Sequence, residues 1–446
     1  MGRVDRIQSA ALTGYNWTEG YDTIGRNRIM PADAPAYLPR HLAAKLSEAL
    51  VDTPVVCLLG ARQCGKSTLS QHCDPERAYI TLDDRNYLSL ALSDPEGFLA
   101  SLPERVTIDE IQRAPELTLA IKRSVDAKRR PGRFLLTGSA NLLQLPRLAD
   151  SLAGRMECLF LHPLTESEKN RSAGDFLKIW VAGKLTKTLT PSRGPTISTL
   201  PNRLVAGGFP EASLRSPGRA RTWQQQYVRT IIERDIHDVA DVKDGQDVAR
   251  LLEYLSNQTA SLLNLLNTAN ALGHTRPTIE RHISILEKLF LVRRLPAWHS
   301  NRNKRLIKTP KIHLCDSGLV TALSDLRPEH WNQERTRFGH VLESFVVQQI
   351  IALGSWHDEE TRFYHYRDKD LVEVDLVIEM GGGVWGVEVK AAASVQAIDG
   401  KGLRRLAETA KGKFRGGIVL YDGDAVLPID IAHNLYAVPL SKLWEL

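Results

Sequence analysis

The sequence predicts an α/β chain in three parts: a parallel-sheet core, a helical middle ending in a winged helix, and a second α/β domain. Three observations predict it. Between 37 and 165, five short apolar runs alternate with helix-like stretches, the pattern of parallel strands buried on both faces. The first run leads directly into a glycine-rich turn, "GARQCGKST" at 60–68. Hydrophobic spacing then becomes helical from 203 to about 300 and strand-like again after 311. At 446 residues the chain has room for about three domains.

Hydrophobic residues make up 43% and charged residues 25%, the balance of a globular protein with sizeable cores. No apolar run approaches the roughly 18 residues that cross a bilayer, and the N-terminus lacks a charged-then-apolar signal pattern. A cytoplasmic location without a membrane partner is expected. The five cysteines, Cys57, Cys64, Cys73, Cys158 and Cys315, are scattered without a C-x-x-C pair, so neither a zinc site nor a disulfide framework is indicated. The net charge of +6 is mild but uneven. Arg276 to Lys311 holds ten Lys/Arg against two acids, Glu280 and Glu287, a local excess of +8. Such a patch suits a phosphate-bearing partner or forms a solvated face.

Residues 1–36 scatter Gly, Asn, Asp and Pro without periodicity and read as an irregular, disordered lead, with Met30 as an alternative start. The first domain is expected over 37–165, with strands "PVVCLL" 54–59, "AYITL" 78–82, "RVTI" 105–108, "RFLLT" 133–137 and "CLFL" 158–161. The second, 166–310, opens with a helix and the polar insertion "TKTLTPSRGPTIST". It closes with "LLNLLNTANALGHTRPTIERHISILEKLFLVRRLPAW": helix, glycine-containing turn, helix, short strand, the outline of a winged helix-turn-helix. The third, 311–446, has a helix at 338–353 and strands "RFYHYR", "VEVDLVIEM", "GVWGVEVKA" and "GGIVLYD".

The turn at 60–68 fits G-x-x-x-x-G-K-[ST]. Its glycines let backbone N–H groups close around phosphate oxygens where a side chain would clash. The helix that follows points its positive end at the same anion. Gly60, Ala61, Arg62, Gln63, Cys64, Gly65, Lys66, Ser67 and Thr68 are thus expected to wrap ATP, with Lys66 on the β- and γ-phosphates and Ser67 on Mg²⁺. Forty-three residues after Lys66, "RVTIDEIQ" ends a strand in Asp-Glu. Asp109 would hold the metal through water and Glu110 would polarise the attacking water. In "LLTGSAN", Thr137 and Ser139 either sense the γ-phosphate or cap a helix. Arg155 in "SLAGRM" is either a surface arginine or the one that reaches a γ-phosphate, often across a subunit boundary. The trans role requires a homo-oligomer.

With these residues in place, the chain resembles the bacterial AAA-type ATPases that join a P-loop domain to a C-terminal domain of unknown function 4143. The matching stretches are "GARQCGKST", "LDD" at 82–84, "IDEIQRAPEL", "GRFLLTGSANLL", "SLAGR", "GGFPEA" at 207–212, "ERDI" at 233–236 and "KTPKIHLCDSGL". The resemblance implies an AAA-like core, use of Mg-ATP, and a place for Arg155 in the nucleotide machinery. It supplies no biological task.

Within the winged helix, Ile279, Ile283, Leu286 and Leu289 trace a helical apolar stripe. Arg276, Thr278, Arg281 and His282 are left near the exposed N-terminal turn, where recognition helices meet DNA, and the basic run "NRNKRLIKTPK" follows. The competing role is an interdomain lever. In the last domain, Asp375 lies on one strand, a glycine turn reverses the chain, and Glu388 and Lys390 sit two apart on the next. Period-two geometry puts those two on one face beside Asp375. Two carboxylates there could hold a divalent metal and the lysine could assist an attacking water. The layout resembles the PD-(D/E)XK nuclease fold, which implies that Glu343 on the preceding helix joins them, although Val374 stands where that motif has proline. Asp316 in "LCDSGL" reads as a structural turn residue.

The expected function is a Mg-dependent ATPase of AAA type that acts on DNA. The alternative is an ATP-driven switch whose last domain binds a protein or nucleic acid without cutting it. A small-molecule kinase is disfavoured by the Asp-Glu pair and the extra domains.

Overall fold

A computed structural model of the chain describes residues 17–21, 27–31, 37–139, 152–185, 200–234, 236, 245–306 and 308–446. It forms two compact units, Met1–Pro39 and Arg40–Leu446. In the first, β1 (Trp17–Tyr21) and β2 (Asn27–Pro31) pair antiparallel, two strands that the sequence reading does not anticipate, and the rest of the expected irregular lead at 1–36 lies outside the described residues. The apolar residues there are too few to show a strand period.

The second unit begins with a five-stranded parallel sheet of β3 (Val55–Leu59), β4 (Ala78–Thr81), β5 (Val106–Asp109), β6 (Phe134–Gly138) and β7 (Met156–Phe160), in the order β4-β5-β6-β3-β7. Every residue of β3, β5 and β6 is buried, because these central strands are covered by helices on both faces and have no polar side to show. Leu58 is 0% exposed, so Leu58→Ala would cost about 2–5 kcal/mol. The order places β6 between β3 and β5. The carboxyl ends of all three therefore open on one edge of the sheet, where ligands of open α/β sheets bind.

The described residues of the middle segment are mostly helical, and the predicted insertion "TKTLTPSRGPTIST" lies outside them. The helix Leu265–Leu272 starts at the Asn264 cap, whose side chain accepts from the Asn267 N–H, and stops at Gly273, whose φ of +71° is left-handed. Thr275 then caps the helix Arg276–Lys288, with a proline in its first turn. β9 (Val292–Leu295) follows. β10 (Lys311–Leu314) pairs antiparallel with β9 and with β8 (Ser261–Leu262). Thus the residues that open the 311–446 segment belong to the sheet beside the helix pair.

The predicted helix at 338–353 is Arg335–Ser355. After it come β11 (Thr361–Arg367), β12 (Glu373–Met380), β13 (Gly383–Lys390), β14 (Phe414–Tyr421), β15 (Leu427–Asp430) and β16 (Leu435–Pro439). They form a mixed sheet of order β11-β12-β13-β14-β16-β15. β12 and β13 make an antiparallel hairpin whose turn needs positive φ at Gly381 (+52°) and Gly382 (+79°). β13, β14 and β16 run parallel, with the helix Lys401–Ala410 in the β13–β14 connection. The sequence reading misses β16 and also β15, a four-residue edge strand containing Pro428. One apolar cluster runs from Leu42 through Leu204, Ile283 and Val346 to Trp444, with separate clusters on the other face of the parallel sheet around Ile108 and Phe134 and in the last domain around Val374 and Leu403. Among the described residues no helix is long and apolar enough to cross a membrane.

Candidate functional site

The loop between β3 and the helix Lys66–Cys73 has the close backbone approach that its glycines predict. A Cβ on Gly60 would stand 2.2 Å from the Leu161 carbonyl oxygen, and Gly65 has a φ of +101°. Ala61 and Cys64 are buried beneath the loop, and the Cys64 thiol donates to the Leu161 carbonyl at 3.4 Å. Arg62, Gln63, Gly65, Lys66, Ser67 and Thr68 line a cavity of about 640 Å³, with Asp83, Asp109 and Glu110 on the facing strand ends. Pro210, Glu211, Arg215 and Trp223 close it from the helical segment.

Two opposite charges are buried at this loop without a counter-ion among the described residues. Lys66, 5% exposed, donates to the Gly60 and Ala61 carbonyls at 3.0 Å each. Asp109, 6% exposed, accepts only hydroxyl donors: Ser67 at 3.2 and 3.3 Å, Tyr79 at 2.5 Å, and Thr137. Burial, then Asp109 itself, pushes the Tyr79 phenol up and keeps it a donor. A buried ammonium and a buried carboxylate, each held by neutral partners, leave charge that an external anion and an external cation could balance. A hydroxyl and a carboxylate about 3.2 Å apart are hard oxygen donors of the kind Mg²⁺ takes.

Glu110 adopts a left-handed conformation (φ 59°, ψ 45°), unfavourable for a non-glycine residue and typical of functional positions. Its carboxylate accepts from the Ser139 hydroxyl at 3.1 Å and from the Gln112 amide, which also donates to Ser139 at 3.0 Å. Thr137 and Ser139 therefore touch the two carboxylates, and the segment that either would cap lies outside the described residues. Arg155 lies outside the cavity and pairs with Asp126 through two hydrogen bonds of 2.5 and 3.0 Å.

Sequence reasoning missed three supporting residues. Tyr79 and Gln112 lie inside runs read only for strand content and for "DEIQ". Arg40 precedes the sheet altogether. It is 7% exposed and binds Glu168 at 3.0 Å, the Cys64 carbonyl at 2.8 Å and the His162 carbonyl at 2.6 Å, tying the phosphate loop to the segment after β7.

On the helix Arg276–Lys288, Arg276 and Arg281 are exposed, while Thr278 is half-buried and bonds the Thr275 cap at 2.9 Å. His282 does not join them. It is 6% exposed, three residues after Ile279 and next to Ile283 on the apolar stripe, and lies edge-on to His274 with ring centroids 6.0 Å apart. Burial, with His274 adding, lowers its pKa. The basic run after β9 also turns inward in part. Arg305 pairs with Glu379 at 2.5 Å and lies over Tyr364, and Lys308 donates to the Arg367 carbonyl at 3.0 Å. Arg302 and Lys304 are exposed.

In the last domain Glu343, Asp375 and Glu388 do converge. The pairing of Leu376 with Val387 sets Asp375 against Glu388, and an Asp375 oxygen accepts the Val389 N–H at 2.9 Å. Burial, followed by Asp375, raises Glu388 well above the usual carboxylate range. Lys390 leans toward Asp399 at 3.5 Å. The cation among the carboxylates is instead Lys311 of β10, 2.6 Å from Glu343 and 3.4 Å from Asp375. Asp316 caps the helix Ser317–Leu323 and accepts the Gly208 N–H at 2.6 Å, the structural role its sequence context suggests.

A parallel-sheet core with this loop and this pair of carboxylates is that of a P-loop ATPase. The chain belongs to the family of AAA-type P-loop ATPases that carry a C-terminal domain of unknown function 4143. An AAA domain model matches residues 52–170, and the model of domain of unknown function 4143 matches 338–443. A further domain of unknown function, 8612, matches 197–330. The chain is 30% identical over 405 residues to the uncharacterized protein Rv2008c of Mycobacterium tuberculosis, covering 91% of this chain and 84% of that one. The uncharacterized protein Mb2031c of Mycobacterium bovis matches to the same extent. Among solved structures, the Walker-type ATPase PABY2304 of Pyrococcus abyssi is 16% identical, covers 64% of this chain and 96% of its own, and has a TM-score of 0.38. The RuvB Holliday junction branch migration motor of Thermotoga maritima is 17% identical, with coverages of 58% and 90% and a TM-score of 0.29.

Proposed function

We propose that the chain is a cytoplasmic, Mg²⁺-dependent ATPase that acts on DNA, with the helix pair and β8–β10 as a winged helix and a nuclease-like last domain. The observation that carries the ATPase reading is the facing pair of buried charges, Lys66 and Asp109. Lys66 would exchange its carbonyl partners for phosphate oxygens, and Ser67 with Asp109 would hold the metal. When bound, Mg²⁺ neutralises charge on the phosphates. Glu110, fixed by Ser139 and Gln112, would take a proton from the attacking water. Arg155, outside its own chain's cavity, would serve a neighbouring subunit's γ-phosphate in a homo-oligomer. Phosphate release should stop on chelation of Mg²⁺ and in Asp109→Asn. Turnover that survives either treatment would refute the site.

DNA contact is supported by the exposed Arg276 and Arg281 at the start of the second helix. Arg276→Ala and Arg281→Ala should each weaken duplex binding and reduce the slope of log affinity against log salt by about 1. Unchanged affinity in the double variant would leave the interdomain-lever role. A second reading for the last domain, binding without cleavage, is favoured by the ion pair between Lys311 and Glu343.

A further inference from the structure

A nuclease-like carboxylate cluster implies a divalent metal, and the residues around this cluster do not fit one. Among the described residues no group of three or more His, Cys, Asp or Glu side chains is placed to hold a metal ion. Three of the carboxylate oxygens that a metal would use are already engaged, while Glu388 meets Asp375, and burial followed by Asp375 raises it well above the usual carboxylate range. Glu343 accepts from the Lys311 ammonium at 2.6 Å, one Asp375 oxygen lies 3.4 Å from the same ammonium, and the other accepts the Val389 N–H at 2.9 Å. Glu373 stands 3.8 Å from Lys311 on the same side. The lysine side chain is only 3% exposed. A buried ammonium is stable where several carboxylates surround it, and a hard divalent ion would have to displace it to gain two or three oxygens.

We infer that Lys311 is the resident cation of this cluster, occupying the position where a nuclease of this layout would carry its metal. The last domain accordingly does not cleave phosphodiesters. Its carboxylates fasten β10, and with it the winged-helix sheet, to β12 and to the helix Arg335–Ser355. The neighbouring cations act in the same sense, since Arg305 pairs with Glu379 on β12 and Lys308 reaches the end of β11. The backbone joins in through Trp298 N–H to the His365 carbonyl at 2.6 Å and His365 N–H to the Pro296 carbonyl at 2.9 Å. This clasp rests on the winged-helix reading only for what the sheet does, and the metal test below is independent of it.

The test is Mn²⁺ binding to the full, nucleotide-free chain, followed by electron paramagnetic resonance, in wild type, Asp375→Asn, Lys311→Met and the Lys311→Met/Asp375→Asn double variant. Any Mn²⁺ held weakly by Ser67 and Asp109 is common to all four and cancels in the comparison, and a failed ATPase assay would not alter the result. Wild type and Asp375→Asn should give superimposable isotherms. Lys311→Met should gain one Mn²⁺ per chain, lost again in the double variant. A wild-type isotherm that exceeds that of Asp375→Asn by one ion would overturn the inference. So would a folded Lys311→Met chain with wild-type melting temperature and no gained ion. If Lys311→Met does not fold, the wild-type and Asp375→Asn pair decides alone.

Discussion

Arg40 offers a prediction whose size follows from the structure. Arg40→Met removes the partner of Glu168, whose side chain is 0% exposed. Losing one member of a buried ion pair costs about 3–5 kcal/mol. Glu168 keeps the backbone N–H groups of His41 at 3.0 Å and Thr165 at 2.9 Å, which places the loss near the lower end, about 3 kcal/mol. With about 2 cal/mol/K of unfolding entropy per residue across the Arg40–Leu446 unit, the melting temperature should fall by about 3–4 °C. The same substitution frees the Cys64 carbonyl, held at 2.8 Å, so the phosphate loop loses a brace and ATP affinity should drop several-fold. Arg40→Lys keeps the charge but cannot span Glu168, Cys64 and His162 together, so it should fall between the two. Differential scanning calorimetry and a titration with a fluorescent ATP analogue measure both effects. A melting temperature within 1 °C of wild type, together with unchanged nucleotide affinity, would refute the brace.

Two other predictions concern catalysis and pH. Glu110→Gln keeps the hydrogen-bonding shape beside Ser139 and Gln112 but has no proton-accepting carboxylate, so ATP should bind normally while turnover falls by about 10²–10⁴. Normal turnover would remove Glu110 from the chemistry. His365 is 1% exposed, and burial, with Lys311 adding, lowers its pKa to about 4. Since the unfolded value is near 6.5, its contribution is complete above about pH 6.5 and is lost as pH falls toward 4. By pH 5 the loss reaches about 2 kcal/mol. His365→Gln should flatten urea-measured stability between pH 7 and pH 5 by that amount. Glu343 and Glu388, raised by burial, act in the opposite sense but in both proteins alike. An equal fall in the two would contradict the assignment.

Much of the core was legible because its signals are local. A buried parallel strand must be continuously apolar, so all five runs between 54 and 161 were visible and match β3 to β7 within two residues. The phosphate loop was visible because only glycine tolerates its backbone, as the contact at Gly60 demonstrates. What escaped was long-range. Arg40 and Glu168 are 128 residues apart and Lys311 and Glu343 are 32 apart, and no periodicity links such pairs. The basic run at 301–311 shows the same limit: its composition suggests a face for phosphate, yet Arg305, Lys308 and Lys311 turn toward β11 and β12. His282 was misplaced for a simpler reason, since a helical position beside an apolar stripe can fall on either side of its edge.

The central claim is that Lys66 and the Asp109–Glu110 pair bind and hydrolyse ATP. Steady-state phosphate release from Mg-ATP by the wild-type chain, measured beside Lys66→Ala with ATP affinity recorded for both, tests it most directly. The account predicts turnover in the wild type and loss of both tight binding and turnover in the variant. Undiminished ATP affinity in Lys66→Ala would contradict it.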